Sequence, residues 1–205
     1  MSNKKFYEYQ FFSEKLATRL TLHSLVTNFL GKENLSDKKF NVSSEAKSIK
    51  IKTDIDIDVE DGFSVRFFNE KGVPFNVKLV KKTEHFSKKY SVGDAITITG
   101  VIEYAVNMTK GRKKCPFFLG RFESVELRNK FKEHLEKTLG VSVKNMENVF
   151  FDRNQSEILS EKIQLNNVIS LTLPVTVVDP EKVSDMEFQS FFQKKSYGLG
   201  NLSVF

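Results

Sequence analysis

The last twelve residues, Lys194-Lys195-Ser196-Tyr197-Gly198-Leu199-Gly200-Asn201-Leu202-Ser203-Val204-Phe205, decide how the chain is read. Two lysines and a serine precede a Gly-x-Gly turn, which feeds at once into an apolar run short enough to be only a strand. Glycine has no Cβ to hold an anion away and tolerates positive φ, so such a loop lets bare backbone N–H groups approach a phosphate. The flanking lysines add charge. Alone, Gly-x-Gly before a strand is more often a tight turn, and it gains meaning only from the rest of the chain.

With 205 residues the chain has room for one large domain or two small ones. Two halves are expected, 1–90 and 91–205. A hydrophobic content of 40% and a charged content of 28% are ordinary for a globular protein. No apolar run approaches the ~20 residues that span a bilayer. Met1 to Lys5 leads into aromatic and charged residues rather than a signal-peptide core, so the expectation is a cytoplasmic protein with no membrane partner. One cysteine, Cys115, excludes an internal disulfide and a multi-cysteine zinc site. A metal would have to come from carboxylates and three scattered histidines, and no metal or cofactor is expected. The net charge of +6 is concentrated at 78–89, 110–114 and 194–195, which suits a polyanion as well as a solvated lysine surface.

In chain order, Phe6 to Phe12 reads as a strand, and Ser13 offers an N-cap for a helix ending at Leu30 before Gly31. Leu22, Leu25, Val26 and Phe29 share its core face, with His23 at the rim. Apolar residues alternate from Ile49 to Val59, with Asp54, Asp56 and Asp58 on the other face, predicting one half-buried strand. A three-residue turn at Glu60-Asp61-Gly62 would pair Val59 with Phe63, Ile55 with Phe67 and Asp56 with Arg66. The acidic row is not a calcium loop, because Val59 stands where the sharp-turn glycine belongs. Phe75, Val77 and Leu79 then alternate before a basic connector, Lys81 to Lys89.

The second half opens at Gly93-Asp94. Ile96, Ile98, Ile102 and Tyr104 predict a strand with a bulge at Gly100, followed by a basic loop, Met108 to Pro116. Ser124 would cap a helix with Leu127, Phe131, Leu135 and Leu139 inward and His134 beside them. Val141 to Asp152 and Ile163 to Val178 read as strands, the second an edge or bulged one because of Pro174. Asp179-Pro180 starts a helix reaching about Gln193. The class is therefore α+β: two tandem ferredoxin-like, RRM-like units, the N-terminal one degenerate.

Three segments carry a family resemblance: Leu20-Thr21-Leu22-His23 in the first helix, Lys113-Lys114-Cys115-Pro116 ending the basic loop, and Lys195 to Ser203. With them the chain resembles the CRISPR-associated repeat endoribonucleases, the Cas Six family of the RAMP superfamily, especially the branch serving type I-E Cascade complexes. The resemblance covers most of 93–205 but only the first helix before that. It departs at Leu20, where members often have tyrosine, and at Ser190-Phe191-Phe192, where they have an earlier Gly-x-Gly.

What the resemblance implies is metal-independent cleavage of precursor crRNA at the 3′ base of the repeat hairpin, leaving a 2′,3′-cyclic phosphate. His23 matches the family histidine and Lys195 is the second catalytic candidate. Arg19, Lys110, Arg112, Lys113, Lys114, Lys194, Ser196, Tyr197, Gly198 and Gly200 are the RNA-binding candidates. Partners would be the repeat RNA hairpin, the crRNA made from it and other subunits of a Cascade-like complex. Two rivals share the fold: a RAMP subunit that holds RNA without cutting, and an RRM-like binder. The second lacks the Lys/Arg-Gly-Phe-Gly-Phe strand signature. If Arg112, Lys113 and Lys114 neutralise phosphates, changing all three to alanine weakens hairpin binding and flattens its dependence on salt, by about 0.9 in log–log slope for each phosphate left unneutralised. An anisotropy titration across a salt series measures this.

Overall fold

The computed structural model describes residues 3–31, 35, 38–68, 74–103, 106–108, 111–113, 117–118, 121–122, 125–144, 146, 155–160, 163–192 and 198–205. The chain folds as two compact units of mixed helix and antiparallel sheet. One is drawn from the sequence up to Lys88 together with residues 187–190 and 198–201, the other from 89–186, 191–192 and 202–205.

The first unit runs β1 (Lys5–Ser13), α1 (Arg19–Leu30), β2 (Phe40–Glu45), β3 (Ser48–Thr53), β4 (Ser64–Phe68) and β5 (Pro74–Phe86), in the sheet order β2-β3-β1-β5-β4. Strand alternation sends Tyr7, Tyr9 and Phe11 of β1 to one face, where they are buried with Ile49, Ile51, Val77 and Leu79 under Leu22, Leu25 and Val26 of α1. Phe29 meets Tyr9 and Phe11 edge-on, with ring centroids 4.9 and 5.0 Å apart. The order β2-β3-β1-β5 is the ferredoxin-like arrangement. No helix occurs among the described residues between β3 and β5, which is the sense in which this unit is degenerate.

Several local expectations are corrected here. Thr18, not Ser13, caps α1; Ser13 still belongs to β1 and its hydroxyl accepts the Lys15 N–H at 3.2 Å, turning the chain. β2 has no counterpart in the sequence reading, because only Phe40 and Val42 alternate with polar residues before Ser43-Ser44-Glu45, a run too short to mark a strand. The strand expected from Ile49 to Val59 stops at Thr53, whose hydroxyl accepts the Ile55 N–H at 3.2 Å and donates to the Lys39 carbonyl at 2.7 Å. Beyond it the Tyr9 hydroxyl accepts the Ile57 N–H at 2.6 Å and donates toward the Ile55 carbonyl at 3.2 Å. A side chain from the central strand thus supplies the hydrogen bonds that a ladder would have supplied. The pairings Val59–Phe63, Ile55–Phe67 and Asp56–Arg66 are absent: Phe67 pairs with Phe75 and Arg66 with Asn76. Gly62 does turn the chain, at φ +93°. The basic connector is instead the second half of β5, paired with β1 as far as Lys5–Phe86. Two of its charges are paired, Glu84 with Lys5 at 2.8 Å and Lys82 with Asp56 at 2.6 Å.

The second unit contains β6 (Ala95–Glu103), two hairpins β7 (Val106–Met108) with β8 (Gly111–Lys113) and β9 (Phe117–Phe118) with β10 (Arg121–Phe122), α2 (Val125–Leu139), β11 (Val141–Ser142), β12 (Gln155–Ser160), β13 (Ile163–Val177), α3 (Pro180–Asp185) and β14 (Asn201–Val204). Its sheet order is β11-β13-β6-β14, with β12 also on β13. Phe131, Leu135 and Leu139 of α2 are buried against Ile98, Leu173 and Val177 in one cluster. Gly140, at φ +69°, ends α2, and a Cβ there would sit 2.6 Å from the Asp179 Cβ, so the two helix ends meet where only glycine fits.

Gly100 makes no bulge, since β6 and β13 keep continuous register through Leu171–Gly100. Pro174 lies opposite Thr97, whose N–H and carbonyl both bond Phe205 on the other side, at 3.0 Å each. That makes Pro174–Thr97 a non-hydrogen-bonded pair, so the missing N–H costs no ladder bond. The first of the two later strands is shorter than expected, with only Val141 and Ser142 in β11; 147–152 lie outside the described residues, as do Tyr104 and Ser124. α3 has the expected Asp179 cap and Pro180 start but ends at Asp185. Tyr9→Phe removes both bonds of the hydroxyl and should lower stability by about 1–3 kcal/mol. In urea unfolding the midpoint moves while the slope stays.

Candidate functional site

The site grows from two pieces of the first unit. In α1, the Thr18 hydroxyl accepts the Thr21 N–H at 3.2 Å and fixes the first turn. Leu22, Leu25, Val26 and Leu30 are buried toward the sheet. His23 follows Leu22 and so projects ~100° around the helix, where it is half-buried. Arg19, also half-buried, is one turn earlier on the same side. The Thr27 hydroxyl donates to the His23 carbonyl at 2.7 Å, and Lys38 donates to the Leu30 carbonyl at the helix C-terminus, where a cation is favoured.

The second piece is the glycine turn. Gly198 and Gly200 both have φ +75°, a conformation natural only to glycine. Leu199 between them is fully buried, and its carbonyl accepts the Ser190 hydroxyl at 3.3 Å. The Ser190 N–H donates to the Phe40 carbonyl at 3.0 Å, and the Asn201 amide donates to the Val42 carbonyl. A Cβ on Gly198 would stand 3.0 Å from Leu22 Cδ1 and 3.5 Å from the Val42 carbonyl oxygen. The turn therefore lies against α1 at the residue that immediately precedes His23.

Of the residues singled out from sequence, Arg19, His23, Gly198 and Gly200 fall in this one unit. Arg112 and Lys113 are in β8 of the other unit, paired with Asn107 and Val106. Lys110, Lys114, Lys194, Lys195, Ser196 and Tyr197 lie outside the described residues. Sequence reasoning passes over Ser190 and Asn201, which fasten the turn to β2; the available signal is an amide directly after Gly200. The other two histidines are placed elsewhere. His85 stacks on Phe6 with centroids 5.2 Å apart, and His134 meets Phe192 edge-on at 5.9 Å, where burial lowers its pKa. Asp54, Asp56 and Asp58 are exposed, and the Lys82 ammonium bonded to Asp56 holds that carboxyl below its ordinary range. Among the described residues no group of three His, Cys, Asp or Glu side chains is disposed to hold a metal ion. No helix there is long and apolar enough to cross a membrane.

No protein-family model and no curated protein sequence matches the chain. Solved structures do. A CRISPR endoribonuclease, Cse3, bound to a 19-nucleotide RNA superposes with a TM-score of 0.67 at 13% identity over 99% of both chains. Thermus thermophilus Cse3 bound to an RNA representing a pre-cleavage complex gives 0.63 at 12% identity, over 98% of this chain and 99% of that one. Cas6e from Escherichia coli K-12 gives 0.54 at 15%, over 97% and 98%. The chain thus has the two-unit ferredoxin-like fold of these proteins over essentially its whole length.

Gly198→Ala should cost more than Gly93→Ala. Both pay for a left-handed alanine, about 1–2 kcal/mol, but nothing lies within 4 Å of a Cβ at Gly93, whereas the Gly198 methyl must displace Leu22. Equal midpoints in parallel urea titrations would show that the contact with α1 is immaterial.

Proposed function

We propose that this chain is an endoribonuclease of the Cas Six kind that binds the CRISPR repeat hairpin and cuts precursor crRNA at the hairpin's 3′ base. The observation that carries the reading is the seating of the Gly198 turn on Leu22, beside His23, within a fold shared end to end with RNA-bound endoribonucleases. An imidazole near neutral pH can give or take a proton, and a glycine turn offers backbone donors to a phosphate. These are the two things the reaction needs.

In the proposed step the ribose 2′-oxygen attacks the adjacent phosphorus, forming a P–O2′ bond while the P–O5′ bond breaks. One proton leaves the 2′-OH and one arrives on the departing 5′-oxygen, so the products are a 2′,3′-cyclic phosphate and a 5′-OH end. No redox change occurs and no metal is required by the balance. His23 serves one of the proton transfers. Lys195 neutralises charge building on the phosphorane, with Lys194, Ser196, Tyr197 and the Gly198 and Gly200 backbone holding the phosphate. Arg19, one turn from His23, binds a neighbouring phosphate. The basic segment containing Lys110, Arg112, Lys113 and Lys114 holds the hairpin, whose backbone supplies most of the affinity. The product crRNA and the other subunits of a Cascade-like complex, in the cytoplasm, are the partners of this reading.

His23→Ala should slow single-turnover cleavage by ~10²-fold or more, the usual worth of a positioned acid or base, with repeat-hairpin affinity nearly intact. Product analysis should find the cyclic phosphate, and activity should persist in chelator. Tight binding by the wild type without any cut product would make the chain a holding subunit instead. Cleavage by His23→Ala at the wild-type rate would remove His23 from the chemistry.

A further inference from the structure

α1 covers one face of the first unit's sheet, and the other face has a composition of its own. Phe11 is fully buried on the helix side, so its neighbour Phe12 points to the opposite face, where it is 49% exposed. Residues paired across strands share a face. Phe12 is flanked there by Ser48 on β3 and Lys78 on β5, and Gln10, two residues back, by Lys50 and Lys81.

Lys78 and Lys81 are three apart and in a regular strand would point opposite ways. The register of β1 against β5 shifts between Gln10 and Phe11, leaving Val80 as the extra residue of a bulge, and this turns both lysines onto the same face beside the exposed ring. Glu8 answers Lys50 at 3.9 Å and Lys52 at 3.6 Å. The direct strand partners of Lys78 and Lys81 are Phe12, Ser64 and Gln10, none of them acidic, and Glu8 lies diagonal to Lys81.

An exposed aromatic ring on a strand, bordered by lysines whose strand partners are not acidic, matches one chemistry: a polyanion whose bases are unstacked and free to lie on the ring. We infer that the Phe12 end of this sheet face, beyond the stack of Phe6 on Phe188, is a second RNA-binding surface, taking single-stranded RNA with a base on Phe12 and phosphates on Lys78 and Lys81. That the strand is RNA rests on the function proposed above; the surface itself does not. A duplex could engage the lysines but not the ring, because its bases are already stacked.

The test is an anisotropy titration of the full chain with a short labelled oligouridylate, which has neither hairpin nor cleavage site, alongside a duplex RNA of equal length. Phe12→Leu should weaken oligouridylate binding by about tenfold, and Phe12→Tyr, which keeps the ring, should not. Lys78→Ala with Lys81→Ala should flatten the log–log salt slope by about 1.4. Wild-type affinity in Phe12→Leu, or binding of duplex as tight as of single strand, overturns the inference. His23→Ala reports on cleavage and is expected to bind oligouridylate like the wild type, so the failure of either reading is distinguishable from failure of the other.

Discussion

The carbonyl edge of β2 is the constraint on which the candidate site depends. An edge strand exposes unpaired carbonyl and N–H groups that must be satisfied somewhere. Here the Phe40 carbonyl takes the Ser190 N–H and the Val42 carbonyl takes the Asn201 amide, so residues from near the chain's end close the edge of a strand made near its beginning. The same docking sets Gly198 against Leu22. A Cβ at Gly198 would make Leu22 give way by a few tenths of an ångström, and the positive φ strains any L residue, so glycine here acts as a spacer against the helix.

The rest of the first unit shows how polar groups finish what strands leave undone. Tyr9 is wholly buried yet its hydroxyl serves Ile55 and Ile57, standing in for a ladder where the chain leaves the sheet. Lys82 adds bonds to Asp56 at 2.6 Å and to the Ile57 carbonyl at 2.8 Å, and its ammonium lies 5.4 and 5.6 Å from the ring centres of Tyr7 and Tyr9. Burial of the Tyr9 phenol, first of all, raises its pKa, as expected for a hydroxyl that works in its neutral form. These bonds hold the segment after β3 to β1 and β5, and no second helix occurs among the described residues between β3 and β5.

The two glycine-dependent closures do different work. Gly140 lets the end of α2 meet the cap of α3 within the second unit, a purely structural need. Gly198 brings backbone to a helix that carries a half-buried histidine and arginine, a place where chemistry is possible. The conformations are alike, φ +69° and +75°, and only the neighbours tell them apart.

By itself the sequence determined the class of the fold, the helix face of Leu22, Leu25 and Val26, the strand of Ile96 and Ile98, the Asp179-Pro180 helix start and the glycine turn. These rest on local periodicity and backbone preference, which a short window contains. Where the aspartates lie is legible as alternation, but their strand ends at Thr53 because the Tyr9 and Thr53 hydroxyls outcompete the ladder. β2 carries only a short alternation, Phe40 to Ser43, and the charged run of β5 reads as a connector because the partners, Lys82's Asp56 and Glu84's Lys5, are remote in sequence. The β5 bulge that gathers Lys78 and Lys81 beside Phe12, and the bonds from Ser190 and Asn201 to β2, were decided only by tertiary structure. Each depends on which strand lies next to which, and hydrogen-bond partners chosen across the fold leave no trace in the spacing of residues along the chain.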